Sequence, residues 1–99
     1  MRLTPQAREI IRHTAHAVFG PDAQVKLFGS RTDDTRPGGD IDLLIELPRP
    51  LPDLRRKSLT LAARLQMQLG DQAIDILVID PETPLHDIHR QAVATGIPL

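Results

Sequence analysis

Two aspartates at positions 40 and 42 are the residues of this sequence whose types and spacing best suit chemistry. Asp40 and Asp42 open the segment Asp-Ile-Asp-Leu-Leu-Ile-Glu-Leu, which runs to Leu47 and is predicted to be a strand. Residues two apart on a strand point to the same face, so both carboxylates project together, about 7 Å apart at their bases. Neighbouring carboxylates repel each other unless a cation lies between them, and Mg²⁺ prefers such oxygen ligands. The pair indicates a metal site, with a solvated acidic strand end as the alternative.

A third aspartate lies inside another apolar segment. Asp75 stands between Ile74 and Ile76 in a predicted strand from Gln72 to Asp80. An unpaired buried charge is costly, so a carboxylate at this position is expected to have a partner. If this strand neighbours the one that begins at Asp40, Asp75 completes a cluster of three carboxylates.

A Gly-Ser pair follows the predicted strand from Val25 to Phe28. Gly29 lets the backbone approach a phosphate closely, and the Ser30 hydroxyl and successive N–H groups can hold phosphate oxygens. A Gly-Ser pair alone does not indicate a phosphate site. Gly-Ser at one strand end, Asp-x-Asp on the next strand and an isolated Asp on a third form a much more specific pattern.

The segments Leu-Phe-Gly-Ser-Arg (27–31) and Gly-Gly-Asp-Ile-Asp-Leu-Leu (38–44) resemble the signature of the polymerase-β-type nucleotidyltransferases. They are most similar to the minimal nucleotidyltransferases (MNT), often the antitoxin half of bacterial HEPN/MNT toxin–antitoxin pairs. The resemblance extends from about residue 24 to residue 80. It implies a polymerase-β-like fold and a transferase that uses ATP and two Mg²⁺ ions.

The resemblance also implies roles for individual residues. Gly29 and Ser30 would bind the nucleoside triphosphate, Asp40 and Asp42 would ligate two Mg²⁺ ions, and Asp75 would ligate the ion that activates the attacking hydroxyl. In such chemistry two ions about 4 Å apart polarise the α-phosphate and stabilise the leaving pyrophosphate.

Arg31 is a further candidate for nucleotide binding. A guanidinium binds phosphate oxygens bidentately, so Arg31 can contact the triphosphate. The alternative is a solvated loop arginine.

The resemblance favours transfer of AMP from ATP onto a HEPN toxin, which silences its RNase activity. Residues 1–99 are expected to form one minimal domain, too short to include the acceptor-binding domains of larger relatives. The acceptor is therefore expected on a partner protein, and homo- or hetero-oligomers are both compatible with this.

The loop departs from the family pattern. Thr32-Asp33-Asp34 stand where relatives commonly have Ala, Arg and Gly, and Gly39 replaces a frequent Ser. A catalytically weak or inactive module that neutralises a partner by contact is therefore the alternative function.

Local signals predict the elements that position these residues. Thr4-Pro5 and Thr83-Pro84 have the pattern of an N-cap followed by proline, and Asp53 is a candidate N-cap for the middle helix. In chain order we expect a helix from Thr4-Pro5 to Gly20, strands over Val25–Phe28 and Asp40–Leu47, a helix over Leu54–Leu69, a strand over Gln72–Asp80, and a helix from Thr83-Pro84 to Gly96. This α-β-β-α-β-α order predicts an α+β fold, a small mixed sheet with helices packed on one side.

Arg55-Arg56-Lys57 forms a short basic run at the start of the middle helix. The helix dipole disfavours cations there. This basic run is interpreted as a solvated turn, with contact with an acidic partner or nucleic acid as the alternative.

The composition excludes several classes of protein. The 99 residues include no cysteine, so disulfide frameworks and thiolate metal sites are excluded. No apolar run approaches the ~20 residues that cross a bilayer, and no signal peptide is evident, so a cytoplasmic location is expected. The net charge is −1 and Phe19 and Phe28 are the only aromatic residues, so we do not expect direct nucleic-acid binding. Because no long apolar run is present, we also expect no membrane partner.

Overall fold

The computed structural model describes residues 4–28, 41–70, 73–84 and 87–99, except for the side chains of residues 87 and 88. The elements are α1 (Pro5–Phe19), β1 (Gln24–Phe28), β2 (Ile41–Glu46), α2 (Leu54–Leu69), β3 (Ile74–Ile79), α3 (Asp87–Thr95) and β4 (Ile97–Pro98). The predicted α-β-β-α-β-α order is confirmed, with β4 added after the last helix.

The strands form one mixed sheet in the order β3-β2-β1-β4. β1 is antiparallel to both β2 and β4, whereas β2 and β3 are parallel and are joined through α2. A crossover of this kind is needed because two parallel strands cannot be joined by a tight turn. The predicted mixed sheet is therefore confirmed, and β3 lies at one edge of it.

One face of the sheet carries the apolar core. Side chains alternate along each strand, so every second residue points towards α1 and α2. α1 packs against α2, and α2 packs against β3. The core residues of the two helices and of β1 and β2 include Ile11, Ala15, Phe19, Val25, Leu27, Ile41, Leu43, Ile45, Leu61 and Leu65. Ile74, Ile76 and Val78 of β3 pack against this core.

α1 begins as the sequence predicts. The Thr4 hydroxyl accepts a hydrogen bond from the Ala7 N–H at 3.0 Å, and Pro5 occupies the first helical turn. Gly20 ends the helix with a φ of 107°, a conformation that a side chain would strain.

Two predicted caps are wrong. Asp53 adopts a left-handed conformation, with a φ of 58°, and its side chain makes no capping hydrogen bond to α2. A capping side chain normally needs extended backbone, and Asp is one of the few residues that tolerate the left-handed region. The Thr83 hydroxyl lies 2.9 Å from the Asp80 N–H and 3.0 Å from Asp80 Oδ1, so it closes a turn after β3. α3 begins four residues later, at Asp87.

Among the described residues, no helix combines the length and the apolar character needed to span a membrane.

Candidate functional site

Asp42 and Asp75 lie side by side in the sheet. They are register partners on the parallel strands β2 and β3, and they lie on the face away from α1 and α2. Neighbouring strands are about 4.8 Å apart, so the two carboxylates leave the sheet from adjacent backbone positions. Phe28, the last residue of β1, is the register partner of Asp42 on its other side. We call the sheet face that carries Phe28, Asp42 and Asp75 the carboxylate face.

Asp75 is exposed, which corrects the expectation of a buried carboxylate. β3 is an edge strand, so side chains on its carboxylate face can reach solvent. The apolar neighbours Ile74 and Ile76 point to the opposite face, where they pack on the core. The charge therefore needs no buried partner, and it is accessible to a cation and a substrate.

Four of the predicted site residues, Gly29, Ser30, Arg31 and Asp40, lie outside the described residues. In sequence, Gly29 directly follows Phe28 and Asp40 directly precedes Ile41, the first residue of β2. Because β1 and β2 are antiparallel, the last residue of β1 and the first residue of β2 lie at the same end of the two strands. Phe28 and Ile41, the described residues on either side of this segment, therefore both lie near Asp42.

The described carboxylates fit a hard divalent cation by their chemistry. Asp42 is half-buried and Asp75 is exposed, and both offer oxygen ligands on one face. In the described part of the chain, no group of three or more potential metal ligands is present. Asp40, the remaining carboxylate of the predicted cluster, lies outside the described residues, so the metal site stays a prediction.

An ion pair lies next along the carboxylate face. Lys26 Nζ is 2.7 Å from Glu46 Oε1, and both side chains are largely shielded, with exposures of 19% and 26%. The ammonium therefore neutralises a carboxylate that is largely removed from solvent. The ion pair gives Glu46 a structural role. Period-two alternation placed it on this face, but its pairing with Lys26 was not predicted.

A small cavity lies at the opposite end of the sheet. It has a volume of about 180 Å³ and is lined by residues that include Phe19, Leu47 and Leu51. Neither Asp42 nor Asp75 contributes to its lining. The carboxylates lie on a surface of the sheet and outside this cavity.

The fold and the paired carboxylates agree with a family match over most of the chain. The sequence profile of the nucleotidyltransferase domain matches residues 7–94. The chain belongs to the nucleotidyltransferase domain family. No curated protein sequence matches it significantly.

Solved structures with the same fold come from toxin–antitoxin complexes. A chain of a toxin–antitoxin complex with AMP-PNP is 22% identical with a TM-score of 0.66, and the match covers 96% of this chain and 72% of that one. A chain of an MntA–HpeT complex is 23% identical with a TM-score of 0.61, covering 88% of this chain and 66% of that one.

A third match is a complex of a tri-AMPylated Shewanella oneidensis HEPN toxin with its MNT antitoxin. Its matching chain is 20% identical with a TM-score of 0.58, covering 92% of this chain and 70% of that one. At these identities the likeness establishes the fold, and this chain spans about two thirds of the length of its neighbours. The expected membership of the nucleotidyltransferases is confirmed by the family match, and the expected fold is confirmed by these structures.

Proposed function

We propose that this protein transfers AMP from ATP to a hydroxyl group of a partner protein, by two-metal catalysis. The observation that carries the proposal is the pairing of Asp42 with Asp75 on one face of the sheet. Membership of the nucleotidyltransferase domain family supports nucleotidyl transfer as the reaction.

Each predicted residue has a role in this reaction. Asp42 and Asp75, with Asp40, would hold Mg²⁺, which when bound lowers the barrier by neutralising charge on the phosphates and on the attacking oxygen. Gly29 and Ser30 would bind the triphosphate. Because phosphoryl transfer needs little covalent help from side chains, the protein acts mainly by positioning and charge neutralisation.

The bond changes are simple. The acceptor oxygen forms a bond to the α-phosphorus of ATP while the bond between that phosphorus and the bridging oxygen breaks. Pyrophosphate leaves with the bonding electrons, and the hydroxyl proton passes to solvent. Arg31 is the candidate guanidinium for the triphosphate during this exchange.

The partner we propose is a HEPN-type toxin, with this chain as its antitoxin. Two observations support this choice: the solved chains with the same fold come from toxin–antitoxin complexes, and one of those complexes contains an AMPylated HEPN toxin. Transfer of AMP would silence the partner by covalent modification.

The test is transfer of label from ATP carrying ³²P at the α-phosphate to purified HEPN proteins, with Mg²⁺ and with EDTA. Wild type should label the partner only with Mg²⁺, and Asp42→Asn should remove labelling. Asp22→Asn is the matched control, because Asp22 is an exposed aspartate that lines the cavity at the opposite end of the sheet. Equal labelling by Asp42→Asn and wild type would contradict the proposal.

A contact-only antitoxin is the second candidate function, favoured by Thr32-Asp33-Asp34, which depart from the family pattern. In that case Asp42→Ala would keep both the complex and the neutralisation of the partner. If catalysis is responsible, Asp42→Ala keeps the complex and loses neutralisation.

A further inference from the structure

Helix α2 has an apolar side that faces away from the core. Its core side carries Leu61 and Leu65, both fully buried. On the opposite side, Leu59, Ala63 and Met67 follow each other at intervals of four residues and are exposed. Residues four apart are neighbours on a helix surface, so the three form a continuous strip, which we call the α2 ridge. Leu59 is 65% exposed and Met67 is 86% exposed.

The charges on α2 are all positive. The helix contains Arg55, Arg56, Lys57 and Arg64 and no acidic residue, although the chain as a whole has a net charge of −1. Arg55, Arg56 and Arg64 are exposed. In the part of the chain that the structure describes, no carboxylate forms a salt bridge with any of the three arginines. The α2 ridge is therefore an apolar strip bordered by cations.

We propose that the α2 ridge is the docking surface for a protein partner that presents an apolar patch bordered by carboxylates. The inference rests on the proposed function, in which the acceptor is a partner protein, and assigns the surface that holds it. Apolar anchors surrounded by complementary charges are the usual arrangement of a specific protein interface.

The charge pattern favours this occupant over a second copy of the chain. A symmetric contact between two α2 ridges would place arginines against arginines, and like charges across an interface are repulsive. The exposed Leu59 and Met67 at the centre of the surface also suit an apolar protein patch better than a phosphate backbone.

The α2 ridge lies across the sheet from the carboxylates, so the partner must extend around the sheet to bring its acceptor hydroxyl to them. α2 packs on the core face of the sheet, whereas Asp42 and Asp75 lie on the carboxylate face. A partner held by α2 leaves the carboxylates accessible to ATP. Changes in the α2 ridge should therefore weaken acceptor binding and leave nucleotide binding unaltered.

The binding test uses a helical peptide with leucines along one side flanked by glutamates, measured by fluorescence anisotropy. Wild type should bind it, and Leu59→Gln/Met67→Gln should weaken binding about tenfold or more, because two apolar side chains lose their burial. Arg56→Glu/Arg64→Glu should weaken binding and reduce its salt dependence. Val93→Gln is the matched control, since Val93 is an exposed apolar residue on α3.

Several results would overturn the inference. One is that wild type does not bind the peptide at millimolar concentration. Another is that wild type and the α2 ridge variants bind it equally. A third is that wild type binds a peptide with lysines in place of glutamates equally well. Stronger binding to anionic phosphatidylglycerol vesicles than to the peptide, lost in the same variants, would assign the surface to a membrane. A wild-type dimer in sedimentation velocity, lost in Leu59→Gln/Met67→Gln, would assign it to a second copy.

The transfer assay separates this inference from the proposed function. The α2 ridge variants should raise KM for the protein acceptor with little change in kcat, and their affinity for ATP with Mg²⁺ should equal that of wild type. Selective peptide binding without any AMP transfer would contradict the proposed function alone. AMP transfer with an unchanged acceptor KM in the variants would contradict the docking surface alone.

Discussion

Replacing Asp75 by Asn should stabilise the metal-free protein and remove its response to Mg²⁺. Asp42 and Asp75 are register partners on adjacent strands, so their charges lie about 5 Å apart. Two like charges at that distance in water repel by about 0.8 kcal/mol. Asp75 is exposed, so the value for water applies to it, and the half-buried position of Asp42 raises the repulsion towards about 1 kcal/mol.

The assay is thermal unfolding with and without Mg²⁺. A gain of about 1 kcal/mol corresponds to an increase of roughly 5 °C in Tm for a domain of this size. Wild type should instead gain stability when Mg²⁺ is added, because a ligand that binds only the folded state stabilises it. Asn and Asp are nearly equal in size, and both are poorly represented in strands, so the substitution changes little besides charge.

The matched control is Glu82→Gln, since Glu82 is an exposed acid beyond the end of β3. It should leave both the Tm and the Mg²⁺ response close to those of wild type. A lower Tm for Asp75→Asn without Mg²⁺, or a Mg²⁺ response equal to that of wild type, would refute the paired-carboxylate account.

Three further predictions concern what holds the sheet and helices in place. Lys26→Met should lower the free energy of unfolding by about 1–3 kcal/mol in urea denaturation, because it leaves the shielded Glu46 carboxylate without its cation. The double variant Lys26→Met/Glu46→Leu should recover most of this loss. Gly96→Ala should lower the free energy of unfolding by about 1–3 kcal/mol, because the added Cβ would lie 2.6 Å from the carbonyl oxygen of Ala92. Ala94→Ser is the control, since Ala94 is exposed, and it should leave the free energy of unfolding unchanged. Thr4→Ala should lower the free energy of unfolding by about 1 kcal/mol through loss of the α1 cap, and Thr4→Ser is the conservative control. An unchanged urea midpoint would contradict each of the three predictions.

The sequence predicted that Asp75 completes a cluster with Asp40 and Asp42 on one condition. The condition was that their strands are neighbours, which the parallel register of β2 and β3 confirms. The alternation of side chains along a strand then determines the shared face. The parallel direction of β2 and β3 could also be predicted from the sequence, since a helix between two strands is typical of a parallel crossover.

The exposure of Asp75 could not be predicted in the same way. Its neighbours Ile74 and Ile76 are apolar, which suggests a strand buried on both faces. Exposure depends on the edge position of β3, and strand order results from long-range packing. β4 has two residues, too few for any periodic pattern, and it forms through pairing with β1.

The caps show a second limit of local patterns. Thr4 and Thr83 both precede a proline, yet only Thr4 caps a helix. Asp53 precedes a well-predicted helix, but its left-handed backbone prevents the capping hydrogen bond. Residue type alone does not determine the backbone conformation that a cap requires.

Calorimetric titration of ATP into wild type and into Asp42→Asn/Asp75→Asn, with Mg²⁺ and with EDTA, tests the central claim most directly. The paired carboxylates predict that wild type binds ATP with Mg²⁺ and loses most of that binding in EDTA. The double variant should bind no better with Mg²⁺ than without it. Equal Mg²⁺-dependent affinity in wild type and the double variant would contradict the claim that Asp42 and Asp75 hold the metal–nucleotide complex.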